Sequence, residues 1–162
     1  MSNTATVSYS WGLKGVQPRI VCKQNKRERQ TTFGSLNYRT GQITINFADK
    51  GNYKSFKIHL LKILSVYWNA PKIIIILDNV RYHHAKLLKR FLELHPKLEL
   101  IYLPPYSPDL NPIERVWWFM RKRITHNRYI CSLKERKIKF WQMFSHFLKP
   151  NQELVQVCVI KF

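Results

Sequence analysis

The stretch Ile73-Ile-Ile-Ile-Leu77, followed by Asp78 and Asn79, decides the fold class of this sequence. A short, unbroken and mostly β-branched apolar run predicts a strand that is buried on both faces, as in a parallel sheet. Asp78 then stands at the carboxyl end of the strand, the edge at which open α/β sheets collect ligands. The sequence therefore predicts an α/β protein with a carboxylate at that edge.

A second carboxylate, Glu114, follows the proline-rich segment Pro104-Pro-Tyr-Ser-Pro-Asp-Leu-Asn-Pro112. Asn111 is a good N-cap residue and Pro112 suits the first helical position, so Glu114 is predicted in the first turn of a helix. Backbone amides at a helix start favour an ionised carboxylate. Thirty-five residues separate Asp78 from Glu114. A helix and a strand fit in that interval, so both acids can reach the same edge of the sheet.

Hydrophobic periodicity predicts the other elements of the chain. The expected strands are a short one at Ile20–Cys22, a β-hairpin formed by Thr31–Tyr38 and Gln42–Phe47, and a strand at Leu98–Leu103. The expected helices are Tyr53–Trp68, Ala85–Leu94, Pro112–Thr125 and Leu133–Leu148. Alternation of strand and helix around Ile73 predicts right-handed parallel crossovers. We expect one domain over residues 1–148 and a C-terminal tail over residues 149–162, with Leu154–Ile160 as a candidate extra strand.

The same periodicity predicts which helix faces are buried. The expected inward residues are Leu87, Leu88, Phe91 and Leu94 on the second helix, Ile113, Val116, Trp117, Met120 and Ile124 on the third, and Trp141 and Phe144 on the fourth.

The charge balance of the chain predicts a polyanionic partner. Its 162 residues include 28 Lys and Arg against 9 Asp and Glu, a formal net charge of +19, and nucleic acid is the commonest partner for such a chain. A membrane partner is disfavoured, because no apolar run approaches about 20 residues and no signal peptide opens the sequence. The widely spaced Cys22, Cys131 and Cys158 include no CxxC pair, which indicates a reducing cytoplasmic compartment rather than a disulfide framework or a zinc site.

Two motifs, Asp78-Asn-Val-Arg-Tyr-His83 and Pro104-Pro-Tyr-Ser-Pro-Asp-Leu-Asn-Pro-Ile-Glu114-Arg-Val-Trp117, carry a resemblance to a known family. The sequence resembles the DDE transposases of the bacterial insertion-sequence and mariner-like branch over roughly Trp11 to Phe144. The resemblance implies a ribonuclease-H-like α/β fold, a mixed sheet flanked by helices. It also implies that Asp78 and Glu114 are the second and third acids of a catalytic triad for DNA strand cleavage and transfer.

The implied chemistry needs divalent cations. Two divalent ions can activate the attacking oxygen and stabilise the leaving oxygen at a phosphodiester. Hard carboxylate oxygens suit Mg²⁺ or Mn²⁺, so Asp78 and Glu114 are also the expected metal ligands. The expected partner is DNA, as transposon ends and as target.

The sequence departs from the family pattern near its beginning. The family's first acid stands on the central strand, before the turn that corresponds to Trp11–Gly15, and no acid precedes that turn here. Glu28 lies in a basic run and Asp49 opens a turn, so neither is a good replacement. We therefore expect an N-terminally truncated catalytic domain that lacks its central strand and is active only if an upstream transposase segment supplies the missing acid.

The residues near Asp78 have simpler interpretations beside the functional ones. Asn79 and His83 are expected to orient Asp78 or a substrate phosphate rather than to bind a metal themselves, and His84 is expected at the surface. Asp78-Asn79 after a strand is also an ordinary way to begin a turn.

The residues near Glu114 are open to two interpretations in the same way. Asn111 and Glu114 have the spacing of a capping box, and Asp109 fits a turn acid better than a ligand. Trp118 and Arg121 share the helix face of Glu114, where they are expected to stack on or clamp DNA. Trp118 fits a half-buried packing role equally well. The residues expected to contact phosphates without specificity include Arg115 and Lys122.

Two functions remain open from the sequence. One is a transposase fragment that cleaves and transfers DNA strands when completed. The alternative is a noncatalytic basic nucleic-acid-binding protein derived from a decayed transposase. A homodimer is compatible with either.

Overall fold

A computed structural model gives the structure of the chain and describes residues 30–105, 107–128, 130 and 132–158, together with residues 9, 12, 14, 15 and 19. The strand expected at Ile20–Cys22 and the acid Glu28 lie outside the described residues. The described elements, in chain order, are β1 (Thr31–Leu36), β2 (Ile43–Ala48), α1 (Tyr53–Val66), β3 (Ile73–Leu77), α2 (Lys86–Glu93), β4 (Leu98–Tyr102), α3 (Pro112–Ile124), α4 (Leu133–Ser145) and α5 (Gln152–Cys158). Short 3-10 turns occupy Arg81–His84 and Pro108–Leu110.

The predicted β-hairpin is confirmed. β1 and β2 pair antiparallel, with Gly34 opposite Ile45. The connecting turn closes because the Asn37 side-chain oxygen accepts hydrogen bonds from the amides of Arg39 and Thr40. Gly41 has a φ of +71°, a conformation that residues with a Cβ rarely adopt. A glycine and an asparagine in the turn therefore fix the hairpin.

The predicted parallel pair is also confirmed. β3 and β4 pair in parallel from Ile73 opposite Leu98 to Leu77 opposite Tyr102, and α2 makes the connection between them. Within the described residues the two pairs form separate two-stranded sheets, β1–β2 and β3–β4.

Two apolar clusters hold these elements together. The first joins α1, α2 and the β3–β4 sheet with Phe33 of β1, and its fully buried members include Leu60 and Leu88. The second joins β2 to α3, α4 and α5, with Ile45, Met120 and Phe144 at its centre. The hairpin contributes to both clusters and so connects the two halves of the molecule.

The expectation that β3 is buried on both faces is wrong. Ile74 and Ile76 are 53% and 59% exposed, whereas Leu77 is buried. Side chains alternate between the two faces of a strand, and the described helices α1 and α2 pack on only one face of this sheet.

On two helices, the predicted buried face includes residues that are exposed in the structure. Leu88 and Phe91 of α2 are buried, but Leu87 and Leu94 are exposed, since an eight-residue helix presents only about two turns to the core. On α4, Phe144 is buried as predicted, but Trp141 is 42% exposed at the edge of β2. On α3, Val116, Met120 and Ile124 are buried as predicted, and Phe119 joins them.

The extra strand considered at Leu154–Ile160 is wrong as far as the structure describes it, because residues 152–158 form the helix α5. The Asn151 side-chain oxygen accepts hydrogen bonds from the amides of Glu153 and Leu154, which starts the helix. Leu154 and Cys158 are then buried in the second cluster. Tertiary packing thus overrides the β-prone composition of the segment. The domain boundary at residue 148 stays a prediction.

Among the helices that the structure describes, none combines the length and apolar character that crossing a bilayer requires.

Candidate functional site

The first part of the candidate site surrounds Asp78, at the carboxyl end of β3. We call it the Asp78 corner, and it consists of Asp78, Asn79, Tyr82, His83, His84 and Tyr102. The Asp78 side chain is exposed, and its backbone carbonyl accepts a hydrogen bond from the amide of Val80 at 3.0 Å. The tight turn after β3 therefore presents the carboxylate to solvent.

The buried side chain of His83 bonds to the backbone of this turn. Its Nδ1–H donates to the carbonyl oxygen of Asp78 at 3.0 Å, and Nδ1 lies 3.8 Å from the Asp78 carboxylate. Burial lowers the pKa of His83, although the Asp78 carbonyl and carboxylate act in the opposite direction. The ring packs against Phe56, with 4.2 Å between ring centroids. His83 is thus a neutral donor that bonds to the backbone at Asp78, and its predicted role in orienting the site stays a prediction.

The other members of the Asp78 corner hold one another. His84 donates from Nε2 to the side-chain oxygen of Asn79 and stacks on Tyr102, with ring centroids 4.3 Å apart. The hydroxyl of Tyr102 donates to the backbone carbonyl of His83 at 3.0 Å. His84 is exposed, as predicted, and it fixes Asn79, which is exposed beside Asp78.

The second part of the site is an open cleft of about 350 Å³ at the start of α3, lined by Asp109, Asn111, Glu114, Arg115, Trp118 and Arg121. We call it the Glu114 cleft. The predicted sharing of one helix face by Glu114, Trp118 and Arg121 is confirmed. Lys122 lies beside the cleft, with Nζ 5.0 Å from the centre of the Trp118 ring. Trp118 is more than half exposed, and its role in contacting DNA stays a prediction.

The start of α3 leaves Glu114 available. The Asn111 side-chain oxygen accepts a hydrogen bond from the amide of Ile113, so Asn111 is the N-cap as predicted. A full capping box is formed in α1, between Asn52 and Ser55. Among the described residues no equivalent bond returns from the Glu114 carboxylate to the Asn111 amide. The capping-box interpretation of Glu114 is therefore not the arrangement in the structure.

Two contacts that the sequence analysis missed set the position of α3. A Cβ at Gly34 of β1 would lie 2.6 Å from two ring atoms of Trp117, so only a glycine lets the helix approach this closely. At the other side, α5 packs on α3, and the Cys158 sulfur lies 3.8 Å from the Pro112 carbonyl. A glycine inside a strand pattern signals a close backbone approach, and Gly34 carries that signal.

The carboxylate oxygens of the two acids are suitable ligands for a divalent cation, but two carboxylates alone do not complete a metal site. Asp78 and Glu114 are exposed carboxylates, the oxygen ligands that Mg²⁺ and Mn²⁺ prefer. Asp78 follows β3, and the chain that leaves the adjacent end of β4 leads to Glu114. No group of three or more His, Cys, Asp or Glu side chains able to hold a metal occurs among the residues that the structure describes.

Comparison with known protein families gives a clear match. The profile of the family described as DDE superfamily endonuclease matches residues 1–137. An insertion element IS630 uncharacterized 39 kDa protein of Shigella sonnei is 28% identical over 146 residues, which cover 88% of this chain and 40% of that protein. The uncharacterized protein y4pE/y4sA of Sinorhizobium fredii is 31% identical over 99 residues, which cover 59% of this chain and 68% of that protein.

Solved structures share the fold at low sequence identity. The Mos1 transposase paired-end complex with left transposon end has a TM-score of 0.68 at 16% identity, covering 96% of this chain and 47% of that chain. The Mos1 Strand Transfer Complex has a TM-score of 0.66 at 15% identity, covering 95% and 47%. The Mos1 mariner paired end complex with Mn has a TM-score of 0.65 at 15% identity, covering 95% and 48%. The chain thus spans about half the length of these proteins, and the predicted ribonuclease-H-like α/β fold is confirmed.

Proposed function

The chain belongs to the DDE superfamily endonucleases, and we propose that it forms the part of a transposase catalytic domain that carries the second and third acids. The observation that carries the proposal is the Glu114 cleft. A carboxylate there shares an open surface with Arg115, Arg121 and the exposed ring of Trp118. A carboxylate among cations is the combination that a phosphodiester substrate with a bound divalent cation requires.

Each residue has a defined role in this proposal. Asp78 and Glu114 would hold Mg²⁺ or Mn²⁺, which when bound would supply charge stabilisation for the attacking and leaving oxygens of the phosphodiester. Arg115 and Arg121 bind the phosphates that flank the scissile bond, because guanidinium groups match phosphate geometry. Trp118 offers an exposed ring for stacking against DNA.

The supporting residues of the site act through these groups. Neutral His83 keeps the Asp78 backbone in place, and Asn79 stands exposed beside Asp78 for a phosphate oxygen or the carboxylate itself. Lys122 adds a further positive charge beside the Trp118 ring.

An upstream segment completes the site in this proposal. The β1–β2 and β3–β4 sheets are separate among the described residues, yet Phe33 of β1 and Leu77 of β3 contribute to one apolar cluster. β1 and β3 each keep one edge without a partner in the described sheets. A strand inserted between them would satisfy both edges and bring the first acid to the carboxyl end of β3.

Titration of the full chain with Mn²⁺ tests the shared metal site. We expect weak binding that Asp78→Asn and Glu114→Gln each reduce at least tenfold, since each removes one charged ligand. Glu93→Gln is the matched control, because Glu93 is an exposed carboxylate at the end of α2, outside both parts of the site. Equal binding by all four proteins would reject the shared site.

The alternative function is a noncatalytic nucleic-acid-binding protein derived from a decayed transposase. The net charge of +19 supports it, because binding a polyanion through charge requires no catalytic acids. If the wild-type protein does not bind Mn²⁺ but binds duplex DNA in a salt-dependent manner, this alternative is supported.

A further inference from the structure

A second basic surface lies at the edge of β2, apart from the residues that line the Glu114 cleft. We call it the β2-edge surface, and its members are Phe47, Lys62, Lys134, Lys137, Ile138 and Trp141. β2 pairs with β1 along one edge in the described sheets, and at its other edge the amide of Ile43 donates to the carbonyl of Phe147. Lys62 of α1 donates from Nζ to the carbonyl of Ile45 at 2.8 Å, and its Nζ lies 5.7 Å from the centre of the Trp141 ring. Helices α1 and α4, which belong to different apolar clusters, therefore meet over this edge.

The apolar side chains of the β2-edge surface pack against their neighbours but remain partly exposed to solvent. Trp141 and Ile138 are 42% and 49% exposed. The Trp141 ring packs edge-on against Phe47, with 6.3 Å between centroids, and the Lys137 ammonium lies 5.5 Å from the centre of the Phe47 ring. The aromatic rings thus lie beside two lysines, of which Lys137 is exposed and Lys62 is half-buried.

The positive charges of the surface lack partners of opposite sign. None of Lys62, Lys134 and Lys137 takes part in an ion pair among the described residues. Glu135, the acid on α4, pairs with Lys139 at 2.6 Å on the opposite flank of the helix. Three cations are therefore concentrated on one face without a neutralising carboxylate.

We propose that the β2-edge surface binds the sugar-phosphate backbone of DNA, as a second contact separate from the Glu114 cleft. The proposal rests on the proposed function only in taking DNA as the partner. Lysines bind phosphates as point charges, and within the described part of the chain none of the three lysines has an ion pair that a phosphate would need to displace. The Trp141 ring is already engaged by Lys62 and Phe47, so it packs along the backbone instead of stacking on a base.

The test compares two double variants of the full chain by fluorescence anisotropy on a random-sequence DNA duplex over a range of salt concentrations. Lys134→Gln with Lys137→Gln removes two charges from the β2-edge surface. Lys86→Gln with Lys89→Gln is the matched control, because these exposed lysines have the same spacing on α2. Since each phosphate contact contributes a slope of about 0.9 in log affinity against log salt, the first pair lowers the slope by about 1.8.

The control pair is expected to leave the slope within about 0.5 of the wild-type value, because α2 makes no phosphate contact in this proposal. An equal fall for both pairs would overturn the proposal, since net charge alone would then explain the binding. An unchanged slope for the Lys134 and Lys137 pair would overturn it as well.

The assay separates this proposal from the proposed function. It contains EDTA, so loss of the metal site at Asp78 and Glu114 leaves the result unaffected. Lys134→Arg with Lys137→Arg keeps both charges and is expected to retain the wild-type slope. A fall in slope for the arginine pair would assign the effect to altered packing against Phe47 and reject the phosphate contact.

Discussion

The Asp78 corner and the Glu114 cleft present their carboxylates in different ways. Asp78 stands on a packed base of aromatic rings, in which buried His83 bonds to its backbone. Glu114 stands on a single helix start, flanked by Arg115 and Arg121 in an open cleft. The corner is therefore held by packing and hydrogen bonds from within the fold. The chemical properties of the cleft come from its charged side chains, and its position depends on how α3 packs against β1 and α5.

This difference predicts that the two parts respond to different perturbations. Changes in the core beneath α1 should loosen the Asp78 corner, whereas changes in the packing of α3 on β1 should move the Glu114 cleft. The following experiments perturb one part and leave the other in place.

Acidification is expected to have the largest effect, through His59 of α1, whose neighbour Phe33 also contacts Tyr82 of the Asp78 corner. His59 is buried, stacks on Phe33 with 5.8 Å between centroids, and is hydrogen-bonded through Nε2 to Ser35. Burial, with a smaller contribution from Lys62, lowers the pKa of His59 from 6.5 to about 4. The unfolded chain therefore takes up a proton between pH 6.5 and pH 4 that the folded chain does not. Stability falls through this window, by about 3 kcal/mol at pH 4.

Urea unfolding of the wild type and His59→Gln at pH 7 and pH 4 measures the His59 contribution. The variant keeps a side chain able to bond to Ser35 and removes the titration, so its loss of stability between the two pH values should be smaller by about 3 kcal/mol. Equal losses in the two proteins would show that His59 does not control the acid response.

Gly34→Ala perturbs the Glu114 cleft instead. The new Cβ would stand 2.6 Å from two atoms of the Trp117 ring, so the ring and α3 must shift. We expect a loss of about 2 kcal/mol in the free energy of unfolding, as for other overpacked sites. Gly51→Ala is the control beside the Asp78 corner, because its Cβ would meet Thr31 at an ordinary 3.5 Å. Equal destabilisation by both substitutions would contradict the close contact of α3 with β1.

His83→Phe should have the smallest effect on stability and a specific effect on Asp78. The change removes the donor to the Asp78 carbonyl, which keeps its bond from Val80, so the expected cost is about 1 kcal/mol. His95→Phe is the matched control, because His95 likewise bonds through Nδ1 to a backbone carbonyl and packs on Phe91. We expect weaker Mn²⁺ binding for His83→Phe alone. Equal affinities for the two variants would argue against His83 as a positioning residue.

Local patterns were sufficient to predict much of the fold. The hairpin followed from β-branched residues around a turn with Gly41, and the parallel pair followed from two apolar runs separated by a helix. The shared face of Glu114, Trp118 and Arg121 followed from helical spacing, because residues three, four and seven apart lie on one side of a helix. Each of these predictions depends on neighbours in sequence, which the pattern contains.

Other features depended on contacts between distant residues. The exposure of Ile74 and Ile76 depends on which segments cover the β3–β4 sheet, and a run of isoleucines does not contain that information. The helix at residues 152–158 forms where Asn151 caps it and α3 receives Leu154, so its β-prone composition was misleading.

The sequence by itself determined the two acids, the elements that carry them and the basic character of the chain, since these depend on residue type and short-range spacing. The tertiary structure alone decided that His83 lies under Asp78, that Gly34 admits Trp117, and that Lys62 meets Trp141 over the edge of β2. Packing joins residues that are far apart in the chain, and burial and local charge at each site follow from which residues it brings together.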